Sequence, residues 1–149
     1  VIACCGGGGL TSGIALALEA EAPGLRARTA EPEGFDDAAR SLAAGEITRN
    51  AALGGSICDA IVTPQPGDLT FPILKRLCGP GLVVSDAEAL QAIGHAFNRL
   101  KLVAEPGGAV ALAAALFRQD EIDGDDVIVT ISGGNVDSDI FSRALATLD

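Results

Sequence analysis

The 149-residue sequence lacks methionine, tryptophan and tyrosine, and it contains a single histidine. Basic residues are also scarce, since 10 lysines and arginines stand against 20 acidic residues and the formal net charge is −10. Nucleic acids and anionic membrane surfaces are bound by clustered lysine and arginine, so we expect neither as a partner. No apolar run approaches the ~20 residues that span a bilayer, and no basic segment precedes a hydrophobic one as in a signal peptide. We therefore expect a cytoplasmic protein.

Cysteine spacing excludes two further classes of protein. Cys4, Cys5, Cys58 and Cys78 have no C-x-x-C spacing and no histidine-rich segment beside them, so neither a zinc site nor a disulfide scaffold is indicated. We expect all four to be buried as small hydrophobic residues. The sequence opens at Val1 in what reads as the middle of a strand, and we therefore expect it to be a piece of a larger polypeptide.

The most informative feature that is present is a run of four glycines at positions 6–9. A short apolar segment, residues 1–5, precedes the run, and a helical pattern over residues 11–21 follows it. Residues without Cβ allow several backbone N–H groups to surround one small anion, and the positive end of a helix adds to the attraction. The pattern predicts a phosphate-binding loop between a buried parallel strand and a helix. A plain strand-to-helix turn is the structural alternative.

Two common phosphate motifs can be compared with this run. The Walker A pattern requires a lysine that is absent here. The dinucleotide fingerprint is closer, because Gly7, Gly9 and Ser12 have the G-x-G-x-x-G spacing with serine in the last place, and Glu31 follows at the distance of a ribose-binding acid. A Rossmann-type nucleotide-binding module therefore remains an alternative.

Strand and helix patterns alternate along the chain, which predicts an α/β fold with a layered parallel sheet covered by helices on both faces. After residues 1–5, further strands are predicted at residues 25–30, 82–84 and 127–131, the last with the continuous apolar pattern of a strand buried on both faces. Residues 48–67 are predicted as a loop with at most one short strand. The predicted helices cover residues 11–21, 36–44, 70–77, 85 to about 102, 107–117 and 137–148.

Four segments carry a resemblance to a known family. They read CGGGGL at 5–10, AEPEGFDD at 30–37, AEPGGAVA at 104–111 and ISGGNVD at 131–137. Together they resemble the serine/threonine dehydratase and serine racemase family of pyridoxal-phosphate enzymes, which has the tryptophan-synthase-like fold. The match is to the C-terminal half of such an enzyme. The resemblance thus implies that residues 1–149 are the C-terminal part of a dehydratase catalytic domain whose N-terminal part is absent from this sequence.

The resemblance also implies a cofactor site. It places the Ser132 hydroxyl at the pyridine nitrogen of pyridoxal 5′-phosphate and Glu105 beside the ring. A neutral hydroxyl does not enforce ring protonation as a carboxylate would, which favours loss of a β-hydroxyl over transamination. The structural alternative for Ser132 is a polar cap on a loop. The cofactor phosphate is expected on the backbone N–H groups of Gly6, Gly7, Gly8, Gly9 and Leu10.

Three further residues match positions at which relatives bind a divalent cation. These are Glu31, the backbone carbonyl of Phe35, and Asp37. Oxygen ligands of this kind suit Mg²⁺ or Ca²⁺. The alternative is that the acids stabilise the N-terminus of a helix, for which Asp36 and Asp37 are well placed.

The family's Schiff-base lysine and its loop for the substrate carboxylate lie upstream of the phosphate loop, and nothing in this sequence corresponds to them. Lys75 and Lys101 stand on predicted helices beside arginines, and we expect both to face solvent. One departure concerns the substrate: relatives commonly have Asp-Gly where this chain has Asp59-Ala60, so neither serine nor threonine can be assumed.

The resemblance implies an ammonia-lyase that converts a β-hydroxy amino acid to a 2-oxo acid and ammonia. Serine racemase or another β-elimination enzyme on the same fold is the alternative. The expected partners are a small amino-acid substrate, the missing N-terminal half and, in the intact enzyme, a second copy in a homodimer. We expect this chain alone to be inactive.

Overall fold

Three short strands form a parallel sheet in the order β1 (Ile2–Cys4), β2 (Arg28–Pro32) and β3 (Leu82–Val84). The structure is a computed structural model that describes residues 1–148. The helices are α1 (Gly9–Glu21), α2 (Asp37–Ala44), α3 (Phe71–Leu77), α4 (Asp86–His95), α5 (Pro106–Phe117) and α6 (Ser138–Leu145). Because parallel strands end at the same edge of a sheet, the loops after β1, β2 and β3 lie together.

Helices cover both faces of the sheet, which confirms the predicted α/β fold. Ile2 and Cys4 belong to a core formed with α4, α5 and α6, whereas Cys5 packs with α1, α2 and α3. Successive residues of an extended chain point to opposite faces of a sheet, so the side chains of Cys4 and Cys5 lie in different cores. All four cysteines are free and buried, as predicted.

The prediction of a fourth strand buried on both faces is wrong. Residues 127–131 make one isolated parallel bridge, between Val129 and Ile2. Ile2 donates its N–H to the carbonyl of Ile128 at 2.8 Å and accepts from the N–H of Thr130 at 3.1 Å. Val127 and Ile128 remain 41% and 55% exposed. The physical reason is position, because this segment lies outside β1 at the edge of the described sheet.

Most element ends differ from the predicted ends by one to three residues. The second strand begins at Arg28 instead of residue 25, and it continues to Pro32. The helix after Ser85 has the capping box that the sequence predicts, since Ser85 Oγ accepts from the Glu88 N–H at 3.2 Å and the Glu88 carboxylate accepts from the Ser85 N–H at 2.7 Å. It does not run unbroken to residue 102, because a π-helical turn (Ala96–Leu100) replaces its last part.

The long loop between α2 and α3 contains no strand within the described chain. A 3₁₀ turn (Asp59–Ile61) is its only regular element. No helix in residues 1–148 has both the length and the apolar character needed to cross a membrane.

Candidate cofactor site

The glycine loop follows β1 and leads directly into α1, which begins at Gly9. Ser12 is the first residue of this stretch whose N–H has a partner, the carbonyl of Gly8 at 2.9 Å. The N–H groups of residues 6–11 donate no hydrogen bond to any of residues 1–148. A phosphate binds readily to unpaired N–H groups at a helix N-terminus, because the positive end of the helix dipole lies there.

The glycines of this loop have two different structural roles. Gly8 has φ +91°, and a Cβ on it would lie 2.8 Å from the hydroxyl oxygen of Thr70. Thr70 also donates its hydroxyl proton to the carbonyl of Gly7, which ties the loop to the start of α3. A Cβ on Gly7 or on Gly9 would meet no atom within 4 Å. Gly8 is therefore required by the backbone, whereas Gly7 and Gly9 leave open space beside the free N–H groups.

Ser132 lies next to this loop although 128 positions separate it from Cys4. Its Oγ is 3.1 Å from the Sγ of Cys4, the last residue of β1. Its backbone N–H points to the carbonyl of Gly108 in the first turn of α5, at 3.4 Å. The structure thus brings Ser132 to the end of the strand that carries the glycine loop.

Glu105 holds the loop that carries Ser132. Its N–H donates to the carbonyl of Gly133 at 3.0 Å, and its carboxylate accepts from the N–H of Asn135 at 2.9 Å. A Cβ on Gly133 would lie 2.6 Å from a carboxylate oxygen of Glu105, so a larger residue there would require the Glu105 side chain to shift. Glu105 is therefore more than a polar residue at the end of a segment, because its carboxylate fixes residues 133–135.

A cleft of about 520 Å³ opens beside Glu105 and Asn135. Asp59 and Ala60 also line this cleft. The structure therefore places the Ala60 methyl group in the cleft that Glu105 also lines.

Glu31 is completely buried at the end of β2. Its two carboxylate oxygens accept from the N–H groups of Ala38 at 2.8 Å and Ala39 at 2.7 Å, in the first turn of α2. The pKa of Glu31 is raised to about 8, mainly because the carboxyl group is buried; the two N–H donors oppose this rise, and the nearby Asp37 adds to it. This geometry matches the alternative interpretation, in which an acid stabilises a helix N-terminus.

Asp37 is 1% exposed, and burial raises its pKa. Its Oδ1 accepts from the side-chain amide of Asn50 at 2.6 Å, whereas its buried Oδ2 has no hydrogen-bond partner among the described residues. Phe35 lies between the two acids in sequence, in the turn that its N–H closes on the carbonyl of Pro32 at 3.0 Å. Residues 1–148 contain no group of three or more His, Cys, Asp or Glu side chains placed to hold a metal ion. The predicted site has two carboxylates and one backbone carbonyl, so it would not count as such a group.

The dinucleotide-binding alternative does not fit these positions. Ser12 is buried and donates its hydroxyl proton to the carbonyl of Thr70 at 3.3 Å, and Glu31 faces α2. Neither side chain points to a ligand at the glycine loop. Lys75 and Lys101 are exposed, as predicted. Their ammonium groups donate to the carbonyls of Gly45 and Asn98.

Sequence reasoning missed two contributors to the site. Asn50 also donates to the carbonyl of Thr63 at 2.8 Å, but it lies in a loop without a recognisable pattern. Cys4 was predicted to be only a small buried hydrophobe, whereas its thiol contacts Ser132. An adjacent pair of cysteines at a strand end was the available signal, and it does not identify a partner so distant in sequence.

Curated proteins with similar sequences include serine racemases and ammonia-lyases. Serine racemase of Dictyostelium discoideum is 38% identical over 148 residues, which are 97% of this chain and 45% of that protein. The beta-hydroxyaspartate dehydratase of Paracoccus denitrificans is 40% identical over 139 residues, 93% of this chain and 44% of that protein. The chain thus spans less than half the length of these curated relatives.

Solved structures of similar enzymes also match this chain. The threonine deaminase from T.th. is 40% identical with a TM-score of 0.85, over 91% of this chain and 49% of that one. Maize serine racemase is 36% identical with a TM-score of 0.86, over 99% of this chain and 46% of that one. The family described as "Pyridoxal-phosphate dependent enzyme" matches residues 1–134. The chain therefore belongs to the family of pyridoxal-phosphate-dependent enzymes.

Proposed function

We propose that residues 1–149 are the C-terminal, cofactor-binding part of a pyridoxal-phosphate-dependent ammonia-lyase of the threonine/serine dehydratase type. The intact enzyme would convert a β-hydroxy amino acid to a 2-oxo acid and ammonia in the cytoplasm. The observation that carries the proposal is the row of unpaired N–H groups at residues 6–11, with the Ser132 hydroxyl held nearby. The residues present fit the cofactor because phosphate is the anion that such a loop binds.

Bound pyridoxal phosphate acts as an electron sink for the negative charge left when a proton leaves the α-carbon of an amino acid. The chain's own residues would bind and orient it. The N–H groups of residues 6–10 hold the phosphate at the positive end of α1. Ser132 offers a neutral hydroxyl to the ring nitrogen, which leaves the ring a weaker acceptor than a carboxylate would. Glu105 keeps the Ser132 loop in place through Asn135 and Gly133.

A second, lysine-bearing portion of the enzyme is the partner that this proposal requires. Lys75 and Lys101 are exposed and bonded to backbone carbonyls, so neither has the desolvated setting of an activated amine. Val127 and Ile128 are exposed at the sheet edge, and among residues 1–148 the backbone of residues 127–131 bonds only to Ile2. This edge offers that portion an apolar surface with which a further strand can pair. We further propose that the intact enzyme is a homodimer.

Serine racemase is the second candidate function. Serine racemases and ammonia-lyases are similarly close to this chain, with identities of 35–38% and 36–40% among the relatives compared. Both activities begin with removal of the α-proton and would use the same glycine loop and the same Ser132. The two activities differ in their products, which are ammonia and a 2-oxo acid for elimination and the opposite enantiomer for racemisation.

We also propose a cation site for Mg²⁺ or Ca²⁺ at Glu31, the carbonyl of Phe35, and Asp37. Its support is the buried Asp37 Oδ2, which lacks a hydrogen-bond partner among residues 1–148. Glu31 can contribute as well, because each carboxylate oxygen has a second lone pair besides the one used for α2.

The direct test uses the intact enzyme with pyridoxal phosphate. L-Serine, L-threonine and L-threo-3-hydroxyaspartate are supplied separately, and ammonia, 2-oxo acid and the opposite amino-acid enantiomer are measured. An ammonia-lyase releases equal amounts of ammonia and 2-oxo acid, whereas a racemase forms mainly the enantiomer. Pyridoxal without its phosphate serves as the binding control. If the protein binds pyridoxal as tightly as pyridoxal phosphate, the assigned role of the glycine loop is wrong.

A further inference from the structure

The Cys4 thiol contacts Ser132 but is not among the groups proposed to hold the cofactor. Its Sγ lies 3.1 Å from Ser132 Oγ, and within residues 1–148 this is the only hydrogen-bond partner of the thiol. Cys4 is 6% exposed in the core between the sheet and α5. Its carbonyl accepts from the buried hydroxyl of Thr11 at 2.9 Å. The strand and α1 thus fix the position of the sulfur.

The main chain of Ser132 is fixed as well. Its N–H faces the carbonyl of Gly108, and the next residue, Gly133, packs so tightly on α5 that a Cβ on Gly108 would lie 2.7 Å from the Gly133 backbone. The remaining freedom lies in the Ser132 side chain, including rotation of its hydroxyl group. A serine hydroxyl has one proton to donate and two lone pairs to accept with, so its neighbours decide which way the proton points.

Building on the proposed function, we propose that Cys4 is a positioning residue that orients the Ser132 hydroxyl. The Cys4 S–H donates to Ser132 Oγ, which directs the serine proton outward to the pyridine nitrogen. Two hydrogen bonds in series polarise each other in the same direction, so each strengthens the next. Ser132 then donates to an unprotonated ring nitrogen. In the opposite arrangement Ser132 would donate to the sulfur, and its oxygen could only accept from a protonated ring.

The first experiment needs no cofactor. The infrared S–H stretching band of Cys4 is isolated in the cofactor-free intact protein as the difference between wild type and Cys4→Val. A donating thiol absorbs at lower frequency than a free one, so we expect the band to move to higher frequency in Ser132→Ala. A band that Ser132→Ala leaves in place would overturn the proposal.

The second experiment uses the loaded enzyme. Pyridoxal phosphate labelled with ¹⁵N in the ring reports by NMR whether the nitrogen is hydrogen-bonded, free or protonated. In Cys4→Val we expect the ¹⁵N shift to leave its wild-type value and the Kd for pyridoxal phosphate to rise about two- to five-fold, as for loss of one weak hydrogen bond. Cys4→Ser, which keeps a donor, should restore both. Cys78→Ala is the matched control, because it removes a buried thiol far from Ser132.

A structural effect of Cys4 is separated from the proposed one by a double-mutant cycle. If Cys4 acts through Ser132, then Cys4→Val changes neither the ¹⁵N shift nor the Kd further in a Ser132→Ala background. Cys4→Ala replaces Cys4→Val if the latter does not fold. Wild-type protein that does not bind pyridoxal phosphate would refute the proposed function. Binding with a ¹⁵N shift and Kd indifferent to Cys4→Val would refute only the role of Cys4.

Discussion

Single alanine substitutions in the glycine loop should separate its effect on folding from its effect on the cofactor. In Gly8→Ala, the backbone φ of +91° costs about 1–2 kcal/mol for a residue with a Cβ. The Cβ would also stand 2.8 Å from Thr70 Oγ1 and 3.0 Å from a methyl carbon of Leu74, which adds about 1–3 kcal/mol of overpacking. We expect the free energy of unfolding to fall by about 2–5 kcal/mol.

Gly9→Ala should leave the free energy of unfolding nearly unchanged and weaken the binding of pyridoxal phosphate. Its Cβ meets no atom within 4 Å, and its φ is not positive, so the unfolding free energy should stay within about 1 kcal/mol of wild type. The Cα–Cβ bond of a helical residue tilts toward the N-terminus, which here is the side of the unpaired N–H groups. A methyl group there should disturb hydrogen bonds to a charged phosphate, at about 1.5–3 kcal/mol or roughly 10- to 150-fold in Kd.

Urea unfolding of the cofactor-free protein and fluorescence titration with pyridoxal phosphate measure the two effects. Gly13→Ala is the matched control, since Gly13 is an exposed residue one turn further along α1 and a Cβ on it also meets nothing within 4 Å. It should stabilise the helix by up to about 1 kcal/mol and leave the Kd unchanged. If Gly9→Ala binds pyridoxal phosphate as tightly as Gly13→Ala, the phosphate is not held at the start of α1.

Three further predictions concern other parts of the chain. Without metal, stability should fall as pH rises from about 4.5 to about 8, because folded Glu31 keeps a proton that the unfolded chain has released. Mg²⁺ or Ca²⁺ should therefore raise the melting temperature more at pH 8 than at pH 6, and no rise at either pH would argue against the cation site. Residues 1–149 alone, mixed with pyridoxal phosphate and reduced with borohydride, should carry no stoichiometric adduct on Lys75 or Lys101, and full labelling of either with turnover would refute the proposed missing portion. Arg118→Ala should cost about 1–2 kcal/mol in urea unfolding, because Arg118 holds the capping-box Glu88 through two bonds of 2.7 and 2.8 Å. Arg76→Ala, at an exposed ion pair with Glu19, should cost less than Arg118→Ala, and equal costs for the two variants would contradict the argument.

Features set by neighbouring residues could be predicted from the sequence. The glycine run, the capping box at Ser85 and Glu88, and the alternation of strands with helices all depend on residues within a few positions of one another. The burial of all four cysteines followed from their residue type. These local patterns were sufficient for the α/β fold and for the position of the glycine loop at a helix N-terminus.

Contacts between distant segments could not be predicted in this way. The hydrogen bond between Cys4 and Ser132 joins residues 128 positions apart, and the sequence around neither residue indicates it. Glu31 has the residue type of both a metal ligand and a helix-stabilising acid, and only the position of the Ala38 and Ala39 N–H groups shows which contact it makes in this structure. Such contacts depend on how whole elements pack, which residue spacing does not encode.

Residues 127–131 have the apolar pattern of a buried strand but lie at the edge of the described sheet. A strand with apolar residues at nearly every position is typical of a parallel sheet in which each strand has neighbours on both sides and helices on both faces. Here the segment bonds to Ile2 on one side, and its Val127 and Ile128 stay exposed. An apolar edge of this kind favours association, which proteins ordinarily prevent with charged or proline-containing edges. The mismatch between pattern and exposure therefore supports the proposed lysine-bearing portion, which would pair with this edge and bury the two side chains that the chain alone leaves in water.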